Sequence, residues 1–307
     1  MVMMNNRRAF TIVELITVVI IIAILLGILL PSFAAIRAKA KEVAQGAQFN
    51  AIEIALEAFK QVYGDYPPSD WTSTASPSSG YCGAQKLSEA LLGWDLMGFD
   101  PNSAWRSDGM DSTGTTSNYT LATLQDRKGP YLELATANVF RLGDLFNNTG
   151  TLAPDTNVLC DVFKVRKLNR LDASGKPVTA GTPILYYKAN TDNKTIDPTY
   201  VPAPNFAGRT YNYLDNKPLV DLGKLTANSV SGLAHPFAYP SGTDYPVFYG
   251  DRTPYTPGTT YGGSGIGYGI RDTRIPNPVR PYNPDTYILI SAGPDGYYGT
   301  ADDIHNY

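Results

Sequence analysis

An α+β fold is predicted by three features of the 307-residue sequence. An uncharged run covers residues 15–36, an amphipathic helical pattern continues from there to Gly64, and short Tyr/Ile/Leu-rich segments separated by turn residues follow. The first two describe one long N-terminal helix whose first half suits a membrane. The third describes a small antiparallel sheet for the second half to pack on, with long loop insertions.

The apolar run comes first. Its 22 residues, at about 1.5 Å per residue, are enough to cross a hydrocarbon core of roughly 30 Å. Glu14 stands at its start, where a carboxylate is expensive, conventionally functional and in need of a cationic partner. Arg7 and Arg8 precede it on the side that stays cytoplasmic. A secretory signal peptide has an apolar region of only about 7–15 residues before a small-residue cleavage site. This run is longer and ends in Pro31-Ser32-Phe33. An ordinary signal anchor fits the length and the arginines but gives no reason for Glu14.

The stretch AFTIVELITVVIIIAILLGILLP, residues 9–31, resembles the N-terminus of type IV pilins and type II secretion pseudopilins. That family has a small residue before the cut, then Phe, with Thr second, Glu fifth and Pro twenty-second in the mature chain. Counted from Phe10, these are Thr11, Glu14 and Pro31; Ala9 stands where the family usually has Gly. The resemblance implies a leader at residues 1–9, cut between Ala9 and Phe10 by a prepilin peptidase that also methylates the new amine. It further implies a ladle-shaped, type IV pilin-like subunit in which Glu14 pairs with the Phe10 amine of a neighbouring copy, fixing axial register. Pro31 lacks an N–H and crowds the carbonyl four residues back, so a weakened helix is expected around Gly27.

Beyond the membrane the helix is expected to extend to about residue 64. Phe33, Ile36, Ala40, Val43, Ala44, Ala47, Ala51, Ile54, Ala55, Ala58, Phe59 and Val62 recur at helical spacing, and Gln45 and Gln48 are read as surface. Gly64 is the expected C-terminal stop, with Pro67-Pro68 just after it. Residues 12–63 would measure about 78 Å if continuous, too long to lie within a domain of this size. The Tyr66-Pro67 exit also resembles the helix end of major pseudopilins.

Residues 65–307 are read as the extracytoplasmic globular part. A short helix is expected at 86–92, a polar loop at 100–119 around Trp105, and strand or short helix at 139–146. Strands are expected at 158–168, 183–188 and 286–291, with a turn at 172–175. Between about 190 and 284 lies a Tyr/Pro/Gly-rich insertion with few periodic apolar runs. Its tyrosines argue for ordered loops on the outer face of the sheet, since the ring packs well with one wet end.

Cys82 and Cys160 fall in parts expected outside the cytoplasm, where a bridge is permitted and would stabilise by about 3–4 kcal/mol. Two unrelated buried thiols are the alternative. Near the C-terminus, residues 291–304 (SAGPDGYYGTADDI) place three carboxylates among three glycines. Calcium takes six to eight oxygen ligands from a chain able to curl around it. The segment resembles the C-terminal loop of major pseudopilins, which binds one calcium; Ser291, Gly293, Asp295, Gly296, Asp303 and Ile304 match it, Asp302 replaces Ala, and the middle is shorter. Asp295 and Asp303, then Asp302, are the expected ligands, with Ser291 beside them. A solvated acidic turn is the alternative.

The remaining chemistry is exclusion. With 43% apolar and 17% charged residues the chain is foldable, and its net charge of −3 becomes −5 on loss of Arg7 and Arg8, which disfavours nucleic acid. His235 and His305 have neither metal-binding spacing nor a recognisable nucleophile beside them, and no phosphate-binding or dinucleotide motif occurs. No enzyme activity is expected. What the resemblance implies is a structural subunit of a type II secretion pseudopilus. Its partners would be its own copies, minor pseudopilins, the peptidase and an inner-membrane platform with a cytoplasmic ATPase. It would span the bacterial inner membrane once, with its C-terminal part periplasmic. A type IV pilin of an adhesion or DNA-uptake filament, and a membrane-anchored binding module or enzyme, are the competing readings.

Overall fold

The computed structural model describes residues 11–72, 80–172, 174–192, 194, 210–222, 248, 252–253, 267–272, 274–275 and 277–307. They divide into two compact units, Met1–Ala44 and Gln45–Tyr307. The boundary falls inside the first helix, α1 (Ile12–Tyr63).

In the first unit α1 is helical throughout, including Gly27 and Pro31. The weakening expected around Gly27 does not interrupt the helix. One proline removes one hydrogen bond, a local cost of about 3 kcal/mol, and long helical runs on both sides carry the helix across it. The described apolar side chains here are about half to three-quarters exposed, from Ile12 to Ile28 and again at Phe33, Ile36 and Val43. Among the described residues no helix is long and apolar enough to cross a membrane. The described apolar stretch, residues 12–28, is about 26 Å of helix, and the side chains at 29–32 and 34 lie outside the described ones.

In the second unit, residues 45–63 of α1 bury Phe49, Ile52, Ala55, Leu56 and Phe59. Only Ala55 and Phe59 of these belong to the stripe the sequence suggests. Val43, Ile54 and Val62 are 65%, 72% and 52% exposed, while Gln45 and Gln48, expected at the surface, are buried. Their amides explain the phase: Gln45 Oε1 accepts from Val162 N at 3.0 Å, and Gln48 Nε2 donates to the Cys160 carbonyl at 2.9 Å. The helix stops at Gly64, whose φ of +84° only glycine adopts freely; its N–H donates to the Lys60 carbonyl at 2.7 Å.

The central sheet runs β5 (Leu185–Lys188), β8 (Tyr287–Ser291), β9 (Ile304–His305), all antiparallel. Leu185 pairs with Ile290, Lys188 with Tyr287, and Ile290 with His305. Alternation sorts its side chains onto two apolar clusters. Tyr186, Tyr287 and Leu289 join Phe49, Ile52 and Leu56 of α1. Leu185, Tyr187, Ile288 and Ile290 join Tyr211, Tyr213, Phe248 and Ile270, which come from the described part of the Tyr-rich stretch. Both faces are covered, which is why these strands are continuous apolar runs. The Tyr261–Gly269 part of that stretch lies mostly outside the described residues, as does His235.

Two small antiparallel pairs flank this sheet: β1 (Val139–Arg141) with β2 (Asn157–Leu159), and β3 (Arg166–Leu171) with β4 (Pro177–Ala180). A further pair joins β6 (Arg252–Thr253) and β7 (Gly267–Tyr268). The strand expected at 158–168 is thus split into β2 and β3. Asp161 breaks it, its Oδ1 accepting from Phe163 N at 3.2 Å and Thr182 N at 3.1 Å, and Lys164 turns the chain at φ +58°. The third strand of the central sheet is β9 instead. Residues 139–146 hold both elements weighed for them, β1 and then the short α3 (Leu142–Leu145).

Helix α2 (Gly83–Leu92) is buried along its whole length. Its first turn is held by Ala84 N donating to Asn216 Oδ1 at 2.8 Å and Cys82 N donating to Gln85 Oε1 at 2.9 Å. Asn216 opens the short α4 (Lys217–Asp221). Cys82 and Cys160 share one apolar cluster but both are free thiols, so the bridge is not formed. Their surroundings differ. The Cys82 thiol, pushed up to about 12 by burial, meets the backbone N–H groups of Ala84 and Gln85. The Cys160 thiol is raised by burial and then by Asp161.

Candidate functional site

Two segments carry the chemistry expected from sequence, one in each unit. In the first, Thr11 and Glu14 form a reciprocal cap on the start of α1. Thr11 donates to Glu14 Oε2 through its backbone N at 2.9 Å and its hydroxyl at 2.8 Å, and Glu14 N donates back to Thr11 Oγ1 at 3.3 Å. This is a capping box: Thr and Glu three apart satisfy helix-terminal N–H groups that otherwise lack partners. The carboxylate therefore has a local function in a single subunit, which a search for an intermolecular partner does not reveal. The Thr-x-x-Glu spacing is the signal for it. Ala9 and Phe10 lie outside the described residues, as does the side chain of Pro31.

Residues 4–30 match the family model described as "Prokaryotic N-terminal methylation motif". The N-terminus is that of a type IV pilin-like prepilin. No curated protein and no solved structure matches the chain. In prepilin-type proteins this segment is both processing signal and membrane anchor. The long helix with small antiparallel sheets accords with a type IV pilin-like α+β fold.

The C-terminal loop leaves β8 at Ser291 and closes on itself. A Cβ on Gly293 (φ +64°) would fall 2.1 Å from the Asp302 carbonyl oxygen, so only glycine allows this approach. Asp295 N donates to Asp302 Oδ2 at 2.9 Å, Tyr297 N to Asp295 Oδ1 at 2.7 Å, and Gly299 N to Asp303 Oδ2 at 2.7 Å. Thr300 Oγ1 reaches Asp302 Oδ1 at 2.6 Å. Burial pushes the Asp295 carboxyl up to about 6, with Asp302 adding to the rise. Asp303 is raised further by burial and then by Asp295 and Asp302.

The loop thus brings its three aspartates close enough to repel one another, in an all-oxygen setting of the kind calcium takes. Even so, among the described residues no three His, Cys, Asp or Glu groups are arranged to hold a metal ion. Each carboxylate is turned onto a backbone N–H of the loop. The donor chemistry fits calcium, and its arrangement would have to tighten around the ion. Ser291 stands apart: it is buried, with Oγ donating to Asp161 Oδ2 at 3.1 Å and accepting from Gly293 N at 3.2 Å.

Among the described residues, several buried carboxylates escaped the sequence reading, Glu89, Asp161 and Asp215 among them. Glu89 of α2 accepts from Tyr81 (2.6 Å), Ser103 (2.5 Å) and Tyr119 (2.7 Å), fastening the 100–119 loop to that helix. Asp161 is pushed up to about 6 by burial, against the three hydrogen bonds it accepts. Asp215 accepts from Ser69 Oγ at 2.5 Å and is pushed up to about 7 by burial. Only an acid among apolar neighbours, such as Glu89 between Leu87 and Leu91, hinted at them.

Proposed function

We propose that this chain is a structural subunit of a type II secretion pseudopilus, with no catalytic activity of its own. The observation carrying the reading is the methylation motif over residues 4–30, together with Thr11 and Glu14 at the start of a 52-residue helix. Prepilin peptidase removes residues 1–9 and methylates the Phe10 amine. The subunit then waits in the inner membrane as a single-pass protein with its C-terminal part in the periplasm. An assembly platform with a cytoplasmic ATPase extracts it into a helical filament of its own copies and minor pseudopilins. There Glu14 meets a neighbour's Phe10 amine, and Pro31 gives the helix a point of adjustment. The exposed apolar side chains of α1, including Ile54 and Val62, supply the surface that neighbouring helices cover. The secretion role, as against an adhesion or DNA-uptake pilus, is supported by the likeness of residues 291–304 to the major-pseudopilin loop.

N-terminal sequencing of the membrane-derived protein tests the processing step. A methylated Phe10 as first residue is expected; an intact leader or a cut beyond Pro31 would sink the proposal. One calcium ion held by Asp295, Asp302 and Asp303 belongs to the same reading. Calcium should raise the melting temperature and chelator should lower it, and Asp303→Asn should abolish the difference. A melting temperature indifferent to both removes the calcium ion from the proposal.

A further inference from the structure

Residues 94–96, 107–108, 141 and 153–157 surround a cleft of about 580 Å³ that the N-terminal motif does not account for. That volume lies within the roughly 300–1,000 Å³ of small-molecule sites. Trp94 forms part of its wall and is held in place. Its indole Nε1 donates to the Ser107 carbonyl at 2.9 Å. Gly109, at φ +66°, lies so close to the ring that a Cβ there would come 3.0 Å from it. A half-buried aromatic ring fixed in this way is a platform prepared before any ligand arrives.

The charges around the platform cancel. Asp95 pairs with Arg127 at 2.7 Å, Asp108 with Arg106 at 2.7 Å, and Asp155 with Arg141 at 3.8 Å. Among the described residues, each carboxylate and guanidinium lining the cleft thus has a partner of opposite charge. What the wall offers is an indole beside both acceptors and forked donors. Arg141 and Asp155 are 63% and 80% exposed and only loosely paired, so turning toward a ligand costs them little.

We propose that this cleft binds a neutral saccharide. A pyranose has a patch of C–H groups on one face, which suits the Trp94 ring, and a rim of hydroxyls that both donate and accept. Arg141 and Asp155, which line the same cleft, serve that rim. The site is independent of how the N-terminus is processed.

The test uses the full chain in micelles of a detergent without a sugar head group. Cellobiose, lactose, maltotriose and N,N′-diacetylchitobiose are titrated by saturation-transfer NMR and indole fluorescence. At least one should bind saturably, and Trp94→Ala should abolish binding while Trp71→Phe leaves it unchanged. Arg141→Ala and Asp155→Ala, at exposed positions that spare the fold, should each weaken it about tenfold, as loss of one good hydrogen bond does. Absence of saturable binding by all four sugars would overturn the proposal. So would full-strength binding by the Arg141→Ala/Asp155→Ala double variant, or binding confined to acidic sugars added as a control.

Discussion

Between residues 12 and 44 the described apolar side chains of α1 stay exposed on every side, whereas between 45 and 63 those at 49, 52, 55 and 56 are buried against the sheet and Phe59 is buried against Ala90 and Phe99. The two stretches are one helix, uncharged from residue 15 to 36 and amphipathic beyond. The difference lies in what else the chain supplies. For the second half it supplies Tyr186, Tyr287 and Leu289. For the first half, among the described residues, it supplies nothing, and the apolar surface is left for a bilayer or another subunit. Helical periodicity therefore announces a helix without saying what covers it.

The largest effect expected from breaking this contrast is at Leu56. Leu56→Ala, at a fully buried site, should destabilise the protein by about 2–5 kcal/mol. Ile54→Ala, two residues away and 72% exposed, should change stability by no more than about 0.5 kcal/mol. Denaturant melts of both variants check this. Similar losses at the two positions would mean that α1 buries a different face.

That pair also marks where sequence reading stopped. The helix, its end at Gly64, the core of α2 and the apolar strands β5 and β8 were legible, because each is a local pattern with a local stop. The buried face of α1 was legible only at Ala55 and Phe59. Apolar residues occupy two faces of the helix there, and the choice between them is made by Gln45 and Gln48, which bond the backbone at 160 and 162. The division of 158–168 was not legible, since it depends on Asp161 meeting Thr182 far along the chain. β9 is two residues long and held by pairing with β8, too short to leave a period. At the candidate sites Glu14 was legible as important from its place in the motif, while the turn of Ser291 toward Asp161 was not.

The contrast extends to the carboxylates. Glu14 is exposed and capped by its own helix, whereas Asp215 is buried with a folded pKa of about 7 against an ordinary 3.8. A raised folded pKa means the folded state holds the proton more tightly. Its stabilising contribution is complete below about pH 4 and is lost as pH rises through about 7. Asp215→Asn can still accept from Ser69 and has no proton to lose. It should flatten the stability profile between pH 4 and 7 and exceed the parent by about 1–3 kcal/mol at pH 8. Parallel pH profiles for the two proteins would refute this role for Asp215.

The smallest expected effect concerns the start of α1, where the Thr11–Glu14 cap holds the N–H groups of the first turn. Thr11→Val keeps the shape of the side chain and removes the hydroxyl that both donates to Glu14 and accepts from its N–H. The loss should be about 1 kcal/mol, confined to the first turn. Amide exchange at Leu15, whose N–H donates to the Thr11 carbonyl at 3.2 Å, should then quicken roughly fivefold in micelles, with exchange at Leu56 unchanged. Thr11→Ser, which restores the hydroxyl, should return it to the parent rate. Uniform acceleration along α1 would show that the two halves open together, and the division at residue 44 would lose its meaning for stability. Acceleration at the first turn alone would mean that Glu14 is held by Thr11 in the single subunit. Any neighbour's amine must then compete with that cap, so assembly of the Thr11→Val variant should be at least as ready as that of the parent.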